Sequence, residues 1–147
     1  MDRSFVDANT RELERMRRLV ERLDEESLTR PVNEHWTVAA VLGHIAFWDG
    51  RARLMADKLD RGGSFTAADG EPKDVDWIND ASRPLIHAIP PRPLAELAVR
   101  IAEDTDTRIA GLPTALTEPL TVEHPLNPLR AGHRGAHLNE IEAALGS

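Results

Sequence analysis

The sequence predicts an all-α protein, a four-helix bundle formed by one domain that spans residues 1–147. Three observations lead to this fold class. Apolar residues recur every three or four positions in four long segments, which is the pattern of a helix with one buried face. Proline and glycine separate these segments, and hardly any stretch alternates apolar and polar residues as a strand would. A chain of this length can bury a substantial core.

The first predicted helix extends from about Ser4 to Leu23. Its apolar positions follow helical spacing among charged neighbours: Phe5, Leu13, Met16, Val20 and Leu23. Pro31 then interrupts the pattern. The second helix begins near Thr37, a residue type suited to the N-cap, and ends at Arg61–Gly63. Its apolar face is formed by Val38, Val41, Ile45, Trp48, Ala52, Met55 and Leu59.

The middle of the chain is less regular. Residues 64–72 are small and polar and predict a loop. A shorter helix is expected within Asp74–His87, interrupted by Pro84 because proline lacks the backbone donor that a helix interior requires. The prolines at positions 90, 91 and 93 mark a firm boundary after it.

The third long helix is predicted from Leu94 to Leu112, where Gly111 and Pro113 end it. Residues 114–128 contain three prolines and are expected to be irregular. The last helix begins near Pro128, a residue that suits the first helical turn, and continues to Leu145. The long proline-rich connections indicate that not all neighbouring helices are joined by tight turns.

Composition excludes several kinds of function. The net charge of −7 disfavours nucleic acid or an anionic membrane as a partner. The absence of cysteine excludes a disulfide framework, a protein thiolate nucleophile and a cysteine-based zinc site. The N-terminal residues lack the apolar core of a signal peptide, and no apolar run reaches membrane-spanning length. A cytoplasmic protein is therefore expected.

Three histidines form the candidate functional site. His44 borders the apolar face of the second helix, and His133 and His137 lie one turn apart on the inward face of the last helix. A lone histidine at such a place is commonly a hydrogen-bonded core residue. Three that converge favour a shared divalent metal ion, which takes neutral imidazoles and, in catalytic sites, keeps one coordination position open.

Other polar and aromatic residues are secondary candidates. Glu140 and Asp49 are candidates for orienting a histidine or for acid–base work, although charged surface residues are the simpler interpretation. Trp36 and Trp48 are expected in the core, and Trp48 is also placed to form a wall of the site. The remaining histidines adjoin breaks or prolines and are expected to be exposed at the surface: His35, His87 and His124.

Two segments resemble the DinB-like superfamily. Trp36–Ala46 reads WTVAAVLGHIA, with a tryptophan before an apolar helix that leads to His44, and His133–Ile141 reads HRGAHLNEI. The resemblance implies a DinB-like bundle with up-down-down-up topology and long cross-over connections. It also implies that His44, His133 and His137 hold a divalent metal ion, often zinc or nickel.

Members of that superfamily with known activities include thiol-dependent transferases and the mycothiol-dependent maleylpyruvate isomerase. The resemblance therefore implies an enzyme that binds a low-molecular-weight thiol or thiol adduct at its metal ion and acts on a small molecule. Two alternatives stay open: a metal-assisted hydrolase, and a non-catalytic bundle that binds metal or a ligand in a stress response. A homodimer is expected by analogy with related bundles.

Overall fold

A computed structural model describes residues 2–146 as an all-α protein, which confirms the predicted fold class. Within this range it contains helices, a 3₁₀ turn at Ala67–Asp69 and one isolated β-bridge between Pro31 and Thr37, but no strand. The long helices are α1 (Ser4–Arg22), α3 (Val38–Asp60), α5 (Pro91–Ala110) and α7 (Ala131–Leu145). The shorter ones are α2 (Glu25–Thr29), α4 (Asp76–Ala88) and α6 (Thr114–Thr117).

The four long helices pack as a bundle. Helix α3 contacts α5 and α7, and α1 contacts the same two helices. The buried face of α5 consists largely of small residues, Ala95, Ala98 and Ala102, so α3 can pack closely and extensively against it. Leu42 of α3 and Leu138 of α7 are fully buried in the same core. The up-down-down-up order of helix directions stays a prediction.

The start of α7 is set by a residue of the first helix. The side-chain oxygen of Asn9 accepts hydrogen bonds from the backbone N–H groups of Arg130 (2.8 Å) and Ala131 (2.9 Å). Its amide nitrogen donates to the carbonyl of Pro128 (2.8 Å). Asn9 thus caps α7 from another helix, which explains why α7 begins at Ala131 and not near Pro128 as predicted.

Other helix boundaries depart from the prediction for local reasons. The hydroxyl of Thr37 accepts from Ala40 N–H and caps α3 as expected. Helix α4 continues through Pro84, contrary to the expected interruption, because the carbonyl that loses its partner belongs to the exposed Asp80 and can bond to water. Helix α5 begins at Pro91, which fits the first helical position, and not at Leu94.

Two short helices were not predicted. Helix α2 has five residues and begins at Glu25, and it is capped by Asp24, whose carboxylate accepts from Ser27 N–H. Helix α6 has four residues and lies in the segment that was expected to be irregular. In the part of the chain that the structure describes, none of the helices combines the length and the apolar character needed to cross a lipid bilayer.

Candidate metal centre

The three candidate histidines come together where α3 meets α7. One nitrogen from each of His44, His133 and His137 lies within 4.8 Å of the others, so the group could hold a metal ion. The ring centroids are 5.2 Å apart for His44 and His133, 4.6 Å for His44 and His137, and 4.7 Å for His133 and His137. The predicted convergence of the three rings is therefore confirmed.

Two of the rings are held in the neutral form. Burial lowers the pKa of His44 from 6.5 to about 4, and an electrostatic interaction with His137 adds to the effect. The pKa of His133 falls to about 3, chiefly through burial and then through unfavourable electrostatic interactions with His137, Arg130, His44 and Arg134. Neutral imidazole is the form that coordinates metal ions, so both rings are ready to act as ligands at neutral pH.

The buried nitrogens of the group fit a metal ion. Among the described residues, neither Nδ1 of His44 nor Nδ1 of His133 has a hydrogen-bond partner, although both atoms are buried. Leaving a buried polar atom unsatisfied costs about 1–3 kcal/mol. Three imidazoles on two packed helices form a donor set that suits a divalent ion such as zinc or nickel, with room for a further ligand.

The third histidine is oriented by a carboxylate. His137 Nδ1 lies 3.2 Å from Glu140 Oε2, one turn further along α7. This contact engages Nδ1 of His137, so Nε2 is the nitrogen that stays available to a metal ion. A carboxylate that holds the non-coordinating nitrogen is the usual partner of a metal-binding histidine, and it fixes the tautomer and the ring orientation. Of the two candidate carboxylates, Glu140 is the one that contacts the histidine group.

The second candidate carboxylate belongs to a buried network of charges. Asp49 is fully buried and accepts from Arg130 Nε (3.0 Å) and Arg134 Nε (2.9 Å). Arg134 is also fully buried and forms a bidentate salt bridge with Asp106. Its Nη1 donates to Oδ2 at 2.9 Å and its Nη2 donates to Oδ1 at 2.7 Å. Asp49 is thus paired with arginines and does not contact the histidines. Sequence reasoning missed this network because Arg134, between two histidines, has the appearance of a surface residue.

Aromatic and small residues shape the surroundings of His44. The ring of Trp36 meets His44 edge-on at 5.5 Å, but Trp36 is only partly buried, so its expected place in the core is only partly right. Trp48 is buried as predicted, and its indole N–H donates to Asn79 Oδ1 at 2.9 Å. A Cβ atom on Gly43 would come within 2.7 Å of Ile86, so glycine lets α4 pack beside His44.

A cavity opens beside the histidines. It has a volume of about 740 Å³, and its lining includes all three rings together with Trp48 and Arg130. The predicted role of Trp48 as a wall of the site is confirmed. A smaller cavity of about 300 Å³ also reaches His44 and His137 and is lined by Trp36 and Glu140. A small molecule that enters the larger cavity therefore meets the histidine group directly.

The other histidines divide between surface and cavity. His35 and His87 are exposed as predicted, although the ring of His87 lies 5.7 Å from Trp36. The predicted exposure of His124 is wrong. Its ring packs edge-on against Phe65 at 4.9 Å and its Nδ1 accepts from Leu126 N–H, so it is half-buried and lines the larger cavity.

We expect the metal-free protein to lose stability as the pH falls from about 6.5 to about 4. In this range the unfolded chain binds protons at His44 and His133, whereas the folded chain, with pKa values of about 4 and 3, does not. The stability is retained in full above pH 6.5. Urea unfolding between pH 7.5 and 4 measures the effect. A His44→Gln variant should show a shallower decline, whereas His35→Gln should follow the parent; equal slopes for all three would contradict the prediction.

Comparison with known proteins supports the resemblance seen in the sequence. A family model described as the DinB superfamily matches residues 8–142, which is nearly the whole described chain and includes all three histidines. Comparison with curated proteins and comparison with solved structures each gave no significant match.

Proposed function

Since the chain belongs to the DinB superfamily, we propose that it is a metal-dependent enzyme whose divalent ion, zinc or nickel, is held by His44, His133 and His137. The observation that carries the proposal is the convergence of three histidines, two of them held neutral by burial, on the wall of a cavity. A structural ion would be enclosed by protein, whereas a catalytic ion needs access for a substrate. The open cavity favours the catalytic role.

The chemistry that we propose is transfer or isomerisation through a low-molecular-weight thiol. A bound divalent ion lowers the pKa of a coordinated thiol and so supplies a thiolate nucleophile at neutral pH. The chain has no cysteine of its own, so the thiol has to come from a small molecule. In this scheme Glu140 keeps His137 in one tautomer and orientation, and Trp48 limits the access of water to one side of the cavity.

Two measurements test the proposal. The purified protein should contain about one equivalent of zinc or nickel by elemental analysis. After replacement of the ion by cobalt(II), titration with 2-mercaptoethanol should produce the near-ultraviolet absorption of a thiolate bound to cobalt. A protein that takes up no stoichiometric metal would contradict the metal site. A cobalt form whose spectrum does not respond to the thiol would contradict the thiol chemistry alone.

A metal-assisted hydrolase is the second candidate. It is favoured by Glu140, whose side chain is half exposed and lines the smaller cavity beside His137, where it could act as a base toward water. Asp49 is a poor candidate for that role because both its oxygens are occupied by arginines. Formation of product without added thiol would distinguish the hydrolase. A bundle that binds metal without catalysis would lack an exchangeable water on the ion.

We also propose the class of substrate, the oligomeric state and the location that go with this function. We infer a small-molecule substrate, because a cavity of about 740 Å³ is of the size that such ligands occupy. A homodimer and a cytoplasmic location complete the proposal. Nucleic acid is not proposed as a partner, since a net charge of −7 opposes its binding.

A further inference from the structure

Arg130 has an open hydrogen-bonding face beside the histidine group. It lies at the start of α7, one turn before His133, and lines the larger cavity although only 8% of its surface is exposed. Its Nε donates to Asp49 Oδ1 at 3.0 Å. Its two terminal nitrogens, Nη1 and Nη2, have no hydrogen-bond partner among residues 2–146.

The rest of the buried charge network is satisfied without these two nitrogens. Each carboxylate oxygen of Asp49 accepts from one arginine Nε, and Arg134 uses its remaining nitrogens on Asp106. Asp49 therefore fixes the guanidinium of Arg130 by one edge and leaves the opposite edge, with its parallel N–H donors, unused. That edge matches the two oxygens of a carboxylate, and its orientation is set before any ligand binds.

The other charged residues of the cavity do not offer the same donors. Arg51 also lines the cavity, but its terminal nitrogens donate to the backbone carbonyls of Pro125 and Asp69. Glu71 and Glu123 are exposed at the cavity's surface, where water and salt screen their charge. Arg130 is more than nine-tenths buried, so an anion that reaches it interacts in a medium of lower dielectric.

From these observations we propose that Arg130 binds a carboxylate group of the ligand that occupies the histidine site. The substrate class is accordingly a small thiol or thiol adduct that carries a carboxylate, such as a mercaptocarboxylic acid. This inference rests on the proposed function for the thiol, whereas the carboxylate site itself depends only on Arg130 and Asp49. A neutral thiol would bind without contacting Arg130, so charge on the ligand should decide the affinity.

The test compares charged and neutral thiols on the cobalt-loaded protein. Mercaptoacetate, 3-mercaptopropionate and 4-mercaptobutyrate are titrated beside 2-mercaptoethanol, and each Kd is read from the cobalt spectrum. The best of the three acids should bind about tenfold or more tightly than 2-mercaptoethanol, which is the order expected of a charge-assisted hydrogen bond. Arg130→Gln should remove this preference, so that the ratio of the Kd of 2-mercaptoethanol to the Kd of the best acid falls from about ten to about one.

A matched control is available in the same cavity. Arg51→Gln removes the same charge from the lining but not a free donor, so the preference for the acid should persist. A change in the Kd of the neutral thiol, 2-mercaptoethanol, would reveal general damage to the site. If Arg130→Gln weakens all four thiols equally, or if Arg51→Gln abolishes the preference as completely, the assignment to Arg130 is wrong.

A second measurement separates this proposal from the proposed function. Metal-free protein is titrated with propionate, which has no thiol, and the Nε–H resonance of Arg130 is followed by NMR. A saturable shift that is absent with the neutral analogue propionamide is expected. If the cobalt spectrum responds to none of the thiols, the thiol chemistry fails while the propionate result still decides the carboxylate site. Absence of the propionate shift overturns the carboxylate site.

Discussion

Replacing Asp49 by alanine should lower the free energy of unfolding by about 3–5 kcal/mol. The substitution leaves the buried guanidinium of Arg134 with one carboxylate where it had two, and it removes the partner of Arg130. An unpaired buried charge is strongly destabilising. Its free-energy cost is much larger than the net stabilisation that the intact ion pair contributes. Since whole domains are stable by only about 5–15 kcal/mol, much of the variant should be unfolded under mild conditions. Urea unfolding followed by circular dichroism measures the loss.

Two further variants make the result specific. Asp49→Asn keeps the size of the side chain and one oxygen acceptor, and it should lose stability but less than the alanine variant. Asp104→Ala removes an aspartate whose pairs with Arg53 and Arg108 lie at the surface, where it is 43% exposed. Exposed pairs contribute at most about 1 kcal/mol. If Asp49→Ala and Asp104→Ala were equally stable, the buried network would not have the importance that its geometry implies.

Replacing His137 by alanine should weaken metal binding by at least about a hundredfold. Removing a residue that only orients a ligand already costs about 10- to 100-fold in metal affinity, and loss of a ligand should cost more. The variant should therefore be purified without stoichiometric metal. A metal ion that binds the folded state also raises the thermal midpoint, and in the variant added zinc should no longer do so. Elemental analysis and thermal unfolding with and without zinc provide the two readings.

His124→Ala is the matched control for this loss. It removes an imidazole that lines the same cavity but lies outside the group of three. It should keep about one equivalent of metal and the zinc-dependent rise in the thermal midpoint. Full metal content in His137→Ala, or equal loss in both variants, would show that the ion is not held by the three histidines.

The sequence could predict the parts of this molecule that depend on local pattern. The four long helices follow from apolar spacing, and their ends follow from proline, glycine and capping residues such as Thr37. The histidine group was also predictable, because His133 and His137 share one helix face and His44 borders another. The short helices α2 and α6 were not, because one turn is too short to show a period.

The features that escaped prediction depend on pairs of residues far apart in the chain. Arg134 and Asp49 are 85 positions apart, and nothing in the neighbourhood of either indicates that it is buried. Their partnership follows only from the way α3 packs against α7. The half-buried state of His124 has a similar origin, since Phe65 approaches it from a distant loop. Charged residues are normally assigned to the surface, and buried pairs are the exception to that rule.

The cap that Asn9 provides has a consequence for how the molecule is made. The contact joins positions 121 residues apart, and contacts of such high sequence separation form late because a long stretch of chain must first be ordered. During synthesis, α1, α3 and α5 emerge with only one of the three histidines. The start of α7 gains its cap, and the other two histidines join His44, only when the last segment has docked. The ability to hold a metal ion should therefore appear in the same step in which α7 docks, so that uptake of the ion reports the packing of α7 onto the other long helices.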